Sequence, residues 1–254
     1  MRMIFVPSKV IFNADDFGYS KAINLGIIQA HKNGILSSAT LMANMPGFED
    51  AVKLAKENPE LGVGVHLTLT CGYPVLSDVP TLCQENGKFH KLTYYEKQFN
   101  ISKEELYKEW DAQIKKVIHA GIDPTHLDSH HHINRLSPMK EVFIELARKY
   151  KLPVRNNFDV PNDIKTVNRF FLGFDLLGID KEIWKPMTIN NLIQDCLTFG
   201  TVEVMCHPGY LDHIVLENSS MAEQRAFVLK ELQVEEYRKL LNENNIEIVT
   251  YRDI

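Results

Sequence analysis

Three short stretches, far apart in the chain, carry the side chains able to do chemistry. The first is Asn13-Ala14-Asp15-Asp16-Phe17-Gly18. Adjacent carboxylates raise one another's pKa when buried, and a cation beside them removes that penalty. The bland alternative is that one of them caps the helix that follows. The second stretch is Val63-Gly64-Val65-His66-Leu67-Thr68-Leu69. Strand alternation puts the apolar residues on one face and His66, Thr68 and Thr70 on the other. His66 is then either a metal ligand or a hydrogen-bonded core histidine. The third stretch, Thr125 to Asn134, holds four of the ten histidines between His126 and His132. If the strand persists, His126, Asp128 and His130 share a side, and imidazoles this dense point to metal-ligand chemistry, with solvated histidines in an incidental polar loop as the alternative. His207 ends a further strand, four residues after Glu203. It is a weak signal alone, strengthened by its place at another strand terminus.

These groups need a scaffold that brings distant strand ends together. Lys9 to Ala14 alternates as a strand, and a helix follows with Ser20 as N-cap and Gly34 just past its end. Leu36 to Ala43 reads as a second strand, Phe48 to Glu57 as a helix and Leu61 to Leu69 as a third strand. Thr70 to Asn100 shows no period and carries Gly72, Pro74, Pro80 and Gly87, as a long binding or lid loop does. Ser102 and Glu105 form a capping-box signature for a helix ending near Gly121. Thr125 to Ser129 is a short strand, Pro138 occupies the first position of a helix running to Tyr150, and Pro153 to Arg155 is a brief strand. Asn156 to Pro186 has no readable pattern. A helix at Ile189 to Phe199, the strand Thr201 to Cys206, a long helix from a Ser220/Glu223 capping box and a strand at Ile246 to Tyr251 complete the chain.

Strands alternating with helices imply right-handed βαβ units and a parallel sheet. About seven or eight mostly parallel strands favour a distorted (β/α) barrel, with a doubly wound open sheet as runner-up. Either places chemistry at the carboxyl ends of the strands. The 254 residues suit one domain, residues 1–254. The net charge of −5 is spread without a basic block, which argues against a nucleic-acid partner. Cys71, Cys83, Cys196 and Cys206 form no C-x-x-C pair, so neither a zinc ribbon nor a disulfide scaffold is expected, and a cytoplasmic setting fits. Pro7 interrupts the apolar N-terminus, which reads as neither an export signal nor a membrane span.

The ordered set NADDFGYS, GVHLTLT, PTHLDSHHHIN and MCHPGY resembles the YdjC/ChbG carbohydrate deacetylases, over nearly the whole chain. The resemblance implies a barrel related to polysaccharide deacetylases, with one divalent metal held by Asp16, His66 and His130 and with Asp15 as general base. It implies removal of acetyl from N-acetylglucosamine-containing sugars, including diacetylchitobiose and its phosphorylated form, and it allows a homodimer. Mg²⁺ is the family's usual description, whereas two imidazoles and a carboxylate suit Zn²⁺ or another transition metal. On this reading His207 is the general acid for the leaving amine. Asp128 orients a ligand imidazole, and Arg155 either holds Asp15 ionised or is an ordinary salt bridge. A metal-dependent phosphoesterase or other amidohydrolase, and a non-catalytic sugar-binding homologue, are the competing readings.

Overall fold

A computed structural model describes residues 7–176 and 184–254. Seven parallel strands form the sheet: β1 (Ser8–Phe17), β2 (Ser38–Leu41), β3 (Gly62–Leu67), β4 (Leu127–Ser129), β5 (Arg169–Phe171), β6 (Thr201–Cys206) and β7 (Ile246–Ile248). Around them lie α1 (Lys21–Asn33), α2 (Phe48–Glu57), α3 (Leu92–Tyr95), α4 (Lys103–His119), α5 (Met139–Tyr150), α6 (Trp184–Phe199), α7 (His213–Asn218), α8 (Glu223–Leu232) and α9 (Glu235–Glu243). The strand order is β4-β3-β2-β1-β6-β5, with β7 paired to the start of β1. The path is open, with β4 and β5 at its edges, and the parallel sheet curls into a partial barrel, consistent with the expected distorted (β/α) barrel. Between the edge strands β4 and β5 the seam is bridged only by single pairs, Leu127 with Val154 and Val154 with Thr166. The brief strand expected at Pro153 to Arg155 is therefore one bridging residue deep. Part of the unreadable Asn156 to Pro186 segment supplies β5 and the start of α6; residues 177–183 lie outside the described residues.

The alternation of β1 divides its residues between two environments. Val10, Phe12 and Ala14 join the main apolar cluster that packs under the helices, whereas Ile11 meets Val167 and Tyr251 inside the barrel. The ring of Tyr251 stacks on His126 at 3.8 Å. Gly64 makes room for that histidine, since a Cβ there would lie 2.5 Å from its ring. His126 is thus packing in the barrel floor and does not join the other histidines.

Local signals hold in part. Ser20 Oγ accepts from Ile23 N–H and Ser102 Oγ from Glu105 N–H, both at 3.3 Å. Glu105 does not return the capping-box bond; its carboxylate accepts from the Thr81 amide and hydroxyl at 2.8 Å, fastening the long loop. Glu109, fully buried on α4, accepts from the amides of Val75 and Leu76 at 2.9 Å and anchors the same loop. A loop carrying its own short helix and held by two carboxylates of α4, Glu105 and Glu109, explains why periodicity alone showed nothing there. Helix α5 starts one residue later than expected, with Pro138 at the N-cap. The Ser220/Glu223 capping box does not form: α8 starts after Ala222 without a side-chain cap, and the expected long helix is α8 and α9. Among the described residues no helix is long and apolar enough to cross a membrane.

Candidate active site

At the end of β1 a local irregularity turns two consecutive carboxylates into one site. The pairing of β1 with β2 shifts register between Ala14 and Phe17, and Asp16 has a left-handed φ of 69°. The bulge breaks strict alternation, so Asp15 and Asp16 both reach the histidines. Gly18, two residues on, has a positive φ of 90° that glycine adopts without steric cost. Asp16 shares it, at a strain of about 1–3 kcal/mol.

Asp15 is 2 % exposed and held from three sides. Arg155 donates from Nη2 to Oδ1 at 2.6 Å and from Nη1 to Oδ2 at 2.8 Å, and Asn13 Nδ2 donates to Oδ1 at 2.9 Å. Burial raises a carboxyl pKa, but the Arg155 guanidinium more than offsets it and holds Asp15 well below the usual range. The same guanidinium contacts Asp128 Oδ2 at 2.9 Å and Glu203 Oε1 at 2.8 Å. One fully buried cation thus binds three buried carboxylates. Tyr251 supports the third, donating to Glu203 Oε2 at 2.5 Å.

His66 and Asp128 are register partners across β3 and β4. His66 Nδ1 lies 2.6 Å from Asp128 Oδ1, which turns Nε2 toward Asp16 Oδ1 at 3.5 Å. Burial by itself lowers an imidazole pKa, yet Asp128, then Asp15 and Asp16, outweigh it and push His66 up to about 9. The expectation that His130 continues the strand is corrected. β4 ends at Ser129, and His130 begins a helical turn in which His131 and His132 adopt left-handed φ of 56° and 52°. Thr70 Oγ1 contacts His131 Nδ1 at 2.9 Å, and Asn157 Nδ2 donates to His132 Nδ1 at 3.0 Å, so the strained turn is pinned. His130 Nδ1 then reaches Asp16 Oδ1 at 3.0 Å. Asp16 is held well below the ordinary carboxylate range, burial being outweighed by His130 and Arg225.

One ligand atom each from Asp16, His66 and His130 lies within 4.8 Å of the others. Two of these atoms, Asp16 Oδ1 and His66 Nε2, are buried without a hydrogen bond of good geometry. Unpaired buried lone pairs aimed at one point are costly unless something positive completes them, and the donor set suits a divalent ion. A second grouping, Asp15, His66 and Asp128, is also close, but its atoms are committed: His66 Nδ1 to Asp128, and both carboxylates to Arg155. His207 Nε2 lies 3.9 Å from Asp15 Oδ2, at the far end of β6. Asp15, Asp16, His66, Asp128, His130 and Arg155 are therefore in one buried cluster, with the partly exposed His207 at its edge. Thr40 was missed: its hydroxyl lies 3.0 Å from Asp128 Oδ2 and 3.2 Å from His66 Nδ1, and its place on the predicted second strand was the available signal. Arg225 was missed outright, because nothing in a helical run marks a residue that reaches across the barrel mouth. A polar groove of about 560 Å³ lined by Asn156, Asn157, Phe158, Arg169 and Phe170 opens beside the open seam, and Phe170 packs edge-on against His132.

A distorted parallel (β/α) barrel with an aspartate and two histidines converging at its strand ends belongs to the class of α/β-barrel enzymes that assemble a site from distant loops. The YdjC-like protein family model matches residues 9–244. A carbohydrate deacetylase from Clostridium beijerinckii is 42% identical over 251 residues, covering 97% of this chain and 100% of that protein. A solved structure from Enterococcus faecalis V583, assigned to cellobiose-phosphate cleavage, superposes with a TM-score of 0.87 at 33% identity, covering 98% of this chain and 99% of the other. A Streptococcus mutans CE4 esterase shares the fold alone, with a TM-score of 0.52 at 9% identity over 96% of this chain and 86% of that one. The chain belongs to the YdjC-like family.

Proposed function

We propose that this protein is a carbohydrate deacetylase, a hydrolase that cleaves the acetamide of an N-acetylglucosamine-containing mono- or oligosaccharide, such as diacetylchitobiose or a 6-phosphorylated form. The observation that carries the reading is the convergence of Asp16, His66 and His130 within 4.8 Å, beside an Asp15 that Arg155 orients. Similarity to carbohydrate deacetylases along nearly the whole chain supports the substrate class. The groove beside Phe170 is the proposed seat for the body of the sugar, and the loop from Thr70 to Asn100 its cover. A cytoplasmic location is part of the same reading.

Asp16, His66 and His130 would hold one divalent cation, and their two imidazoles favour Zn²⁺ or another transition ion over Mg²⁺. When bound, such an ion supplies Lewis acidity, bringing the pKa of water toward about 7 and stabilising negative charge on the acetyl oxygen. Asp128 holds the His66 tautomer through Nδ1 and so presents Nε2 to the site. Asp15 takes the proton lost by the attacking water as its oxygen bonds to the acetyl carbon. His207, on the other side of Asp15, gives a proton to the sugar nitrogen as the C–N bond breaks, leaving acetate and a free amine. The grouping of Asp15, His66 and Asp128 is already paired internally, which disfavours a two-metal phosphoesterase.

Acetate release from diacetylchitobiose, assayed with and without a chelator and with metal counted per chain, tests the reading. We expect chelator-sensitive release and one ion per chain. Metal retained without acetate release points to a non-catalytic homologue, and two ions point to the phosphoesterase alternative. Metal uptake should also expel a proton. With its pKa raised to about 9, His66 holds a proton at pH 7.5 that Nε2 must lose on ligation. Calorimetry in two buffers of different ionisation enthalpy should report release of about one proton per ion. No proton release would mean that His66 is already neutral before the ion binds.

A further inference from the structure

Arg225 has no role in the chemistry above, yet it is built into the same site. It lies on α8 with 2 % exposure. Its Nη2 is 2.5 Å from Asp16 Oδ2, its Nε donates to Met221 O at 2.9 Å, and its Nη1 is buried without a hydrogen-bond partner. Its own carbonyl accepts from Gly209 N–H at 3.2 Å, two residues beyond His207. One residue therefore touches the oxygen of Asp16 that faces away from the histidines and also holds the chain that carries His207.

Burying a guanidinium is expensive, and a cation in the Asp16, His66 and His130 cluster would be repelled by it. A salt bridge serving stability alone gains nothing from standing at that spot. The geometry gives it another use. Oδ1 faces His66 and His130, while Oδ2 is occupied.

We propose that Arg225 is a positioning residue that reserves Asp16 as a one-oxygen ligand: by holding Oδ2 it denies a cation the second oxygen, so a coordination position stays open for the reacting atoms. It also draws charge from the carboxylate, which keeps the ion a stronger Lewis acid. The inference rests on reading Asp16, His66 and His130 as the metal ligands.

The test uses the full chain with Co²⁺, whose visible absorption reports coordination number, in wild type, Arg225→Met and Arg225→Lys. In Arg225→Met, Asp16 should close on the ion with both oxygens, and Co²⁺ absorption should fall by about twofold as coordination rises. Affinity for Co²⁺ should stay level or tighten, while kcat falls about tenfold or more with KM little changed. Arg225→Lys, which keeps the charge but not the fork, should lie between the two in both spectrum and kcat. It decides alone if the Met variant does not fold. A wild-type spectrum in a folded variant of low kcat overturns the proposal, as does loss of metal together with activity, the pattern of a purely structural salt bridge. Failure of wild type to bind Co²⁺ at all instead overturns the metal-site reading itself.

Discussion

Asp15→Asn is expected to lower kcat by about a thousandfold while metal content stays at the wild-type level. The amide keeps the shape of the side chain and one acceptor oxygen for Arg155, but it cannot take a proton from water. Arg155 keeps Asp128 and Glu203 as partners, so the fold should survive. The proposed metal ligands, Asp16, His66 and His130, do not include the substituted residue. Steady-state kinetics with elemental analysis of the same preparation checks both halves. Retained turnover removes Asp15 as the base, and lost metal makes it a ligand instead.

The second large effect concerns the cation beneath that base. Arg155→Met leaves Asp15, Asp128 and Glu203 buried together without their shared partner, and removing one side of a buried ion pair costs roughly 3–5 kcal/mol. The deficit should depend on pH in a defined direction. In the wild type, pairing depresses the pKa of Asp15 and of Asp128. That stabilisation is full above the unfolded carboxyl value and fades as pH falls through the lowered folded values. In the variant the depression is gone, and burial drives the unpaired carboxyls to accept protons early. The gap between wild type and variant is therefore widest near neutral pH and narrows in acid. Urea unfolding at pH 7 and pH 5 measures it, and an equal gap at both would show that Arg155 contributes packing rather than charge.

The two variants separate the roles of a connected network. Asp15 and Arg155 share two hydrogen bonds, so their single effects on turnover should not add. Glu203 and Tyr251 stand behind Arg155, on the side away from the reacting groups, and carry the network down to the barrel floor.

Much of this was legible from residue types and their periods. Alternation identified which face of β3 carries His66. Chain order of strands and helices implied a parallel sheet. Residue type left Arg155 open between holding Asp15 and an ordinary salt bridge, and only the geometry pairs it with Asp15 through two hydrogen bonds. What failed was whatever depended on a single residue leaving its regular period. Asp16 departs from alternation through one left-handed φ, and His130 stands where β4 gives way to a turn in which the next two histidines adopt the same rare conformation. A period counts residues and carries no information about such a turn, since the contacts that hold it, from Thr70 and Asn157, are remote in the chain.

The amino-acid sequence by itself determined the family pattern, the parallel α/β class and the chemical character of the site, because these follow from side-chain type and from periods of about 2 and 3.6 residues. Only the tertiary structure decided that the strands follow one open path with β4 and β5 at its edges, that His126 belongs to packing, and that Arg225 grips Asp16. Each of those depends on which surfaces meet after the chain has folded on itself, across separations of up to 209 residues, and no local preference specifies a contact at that distance.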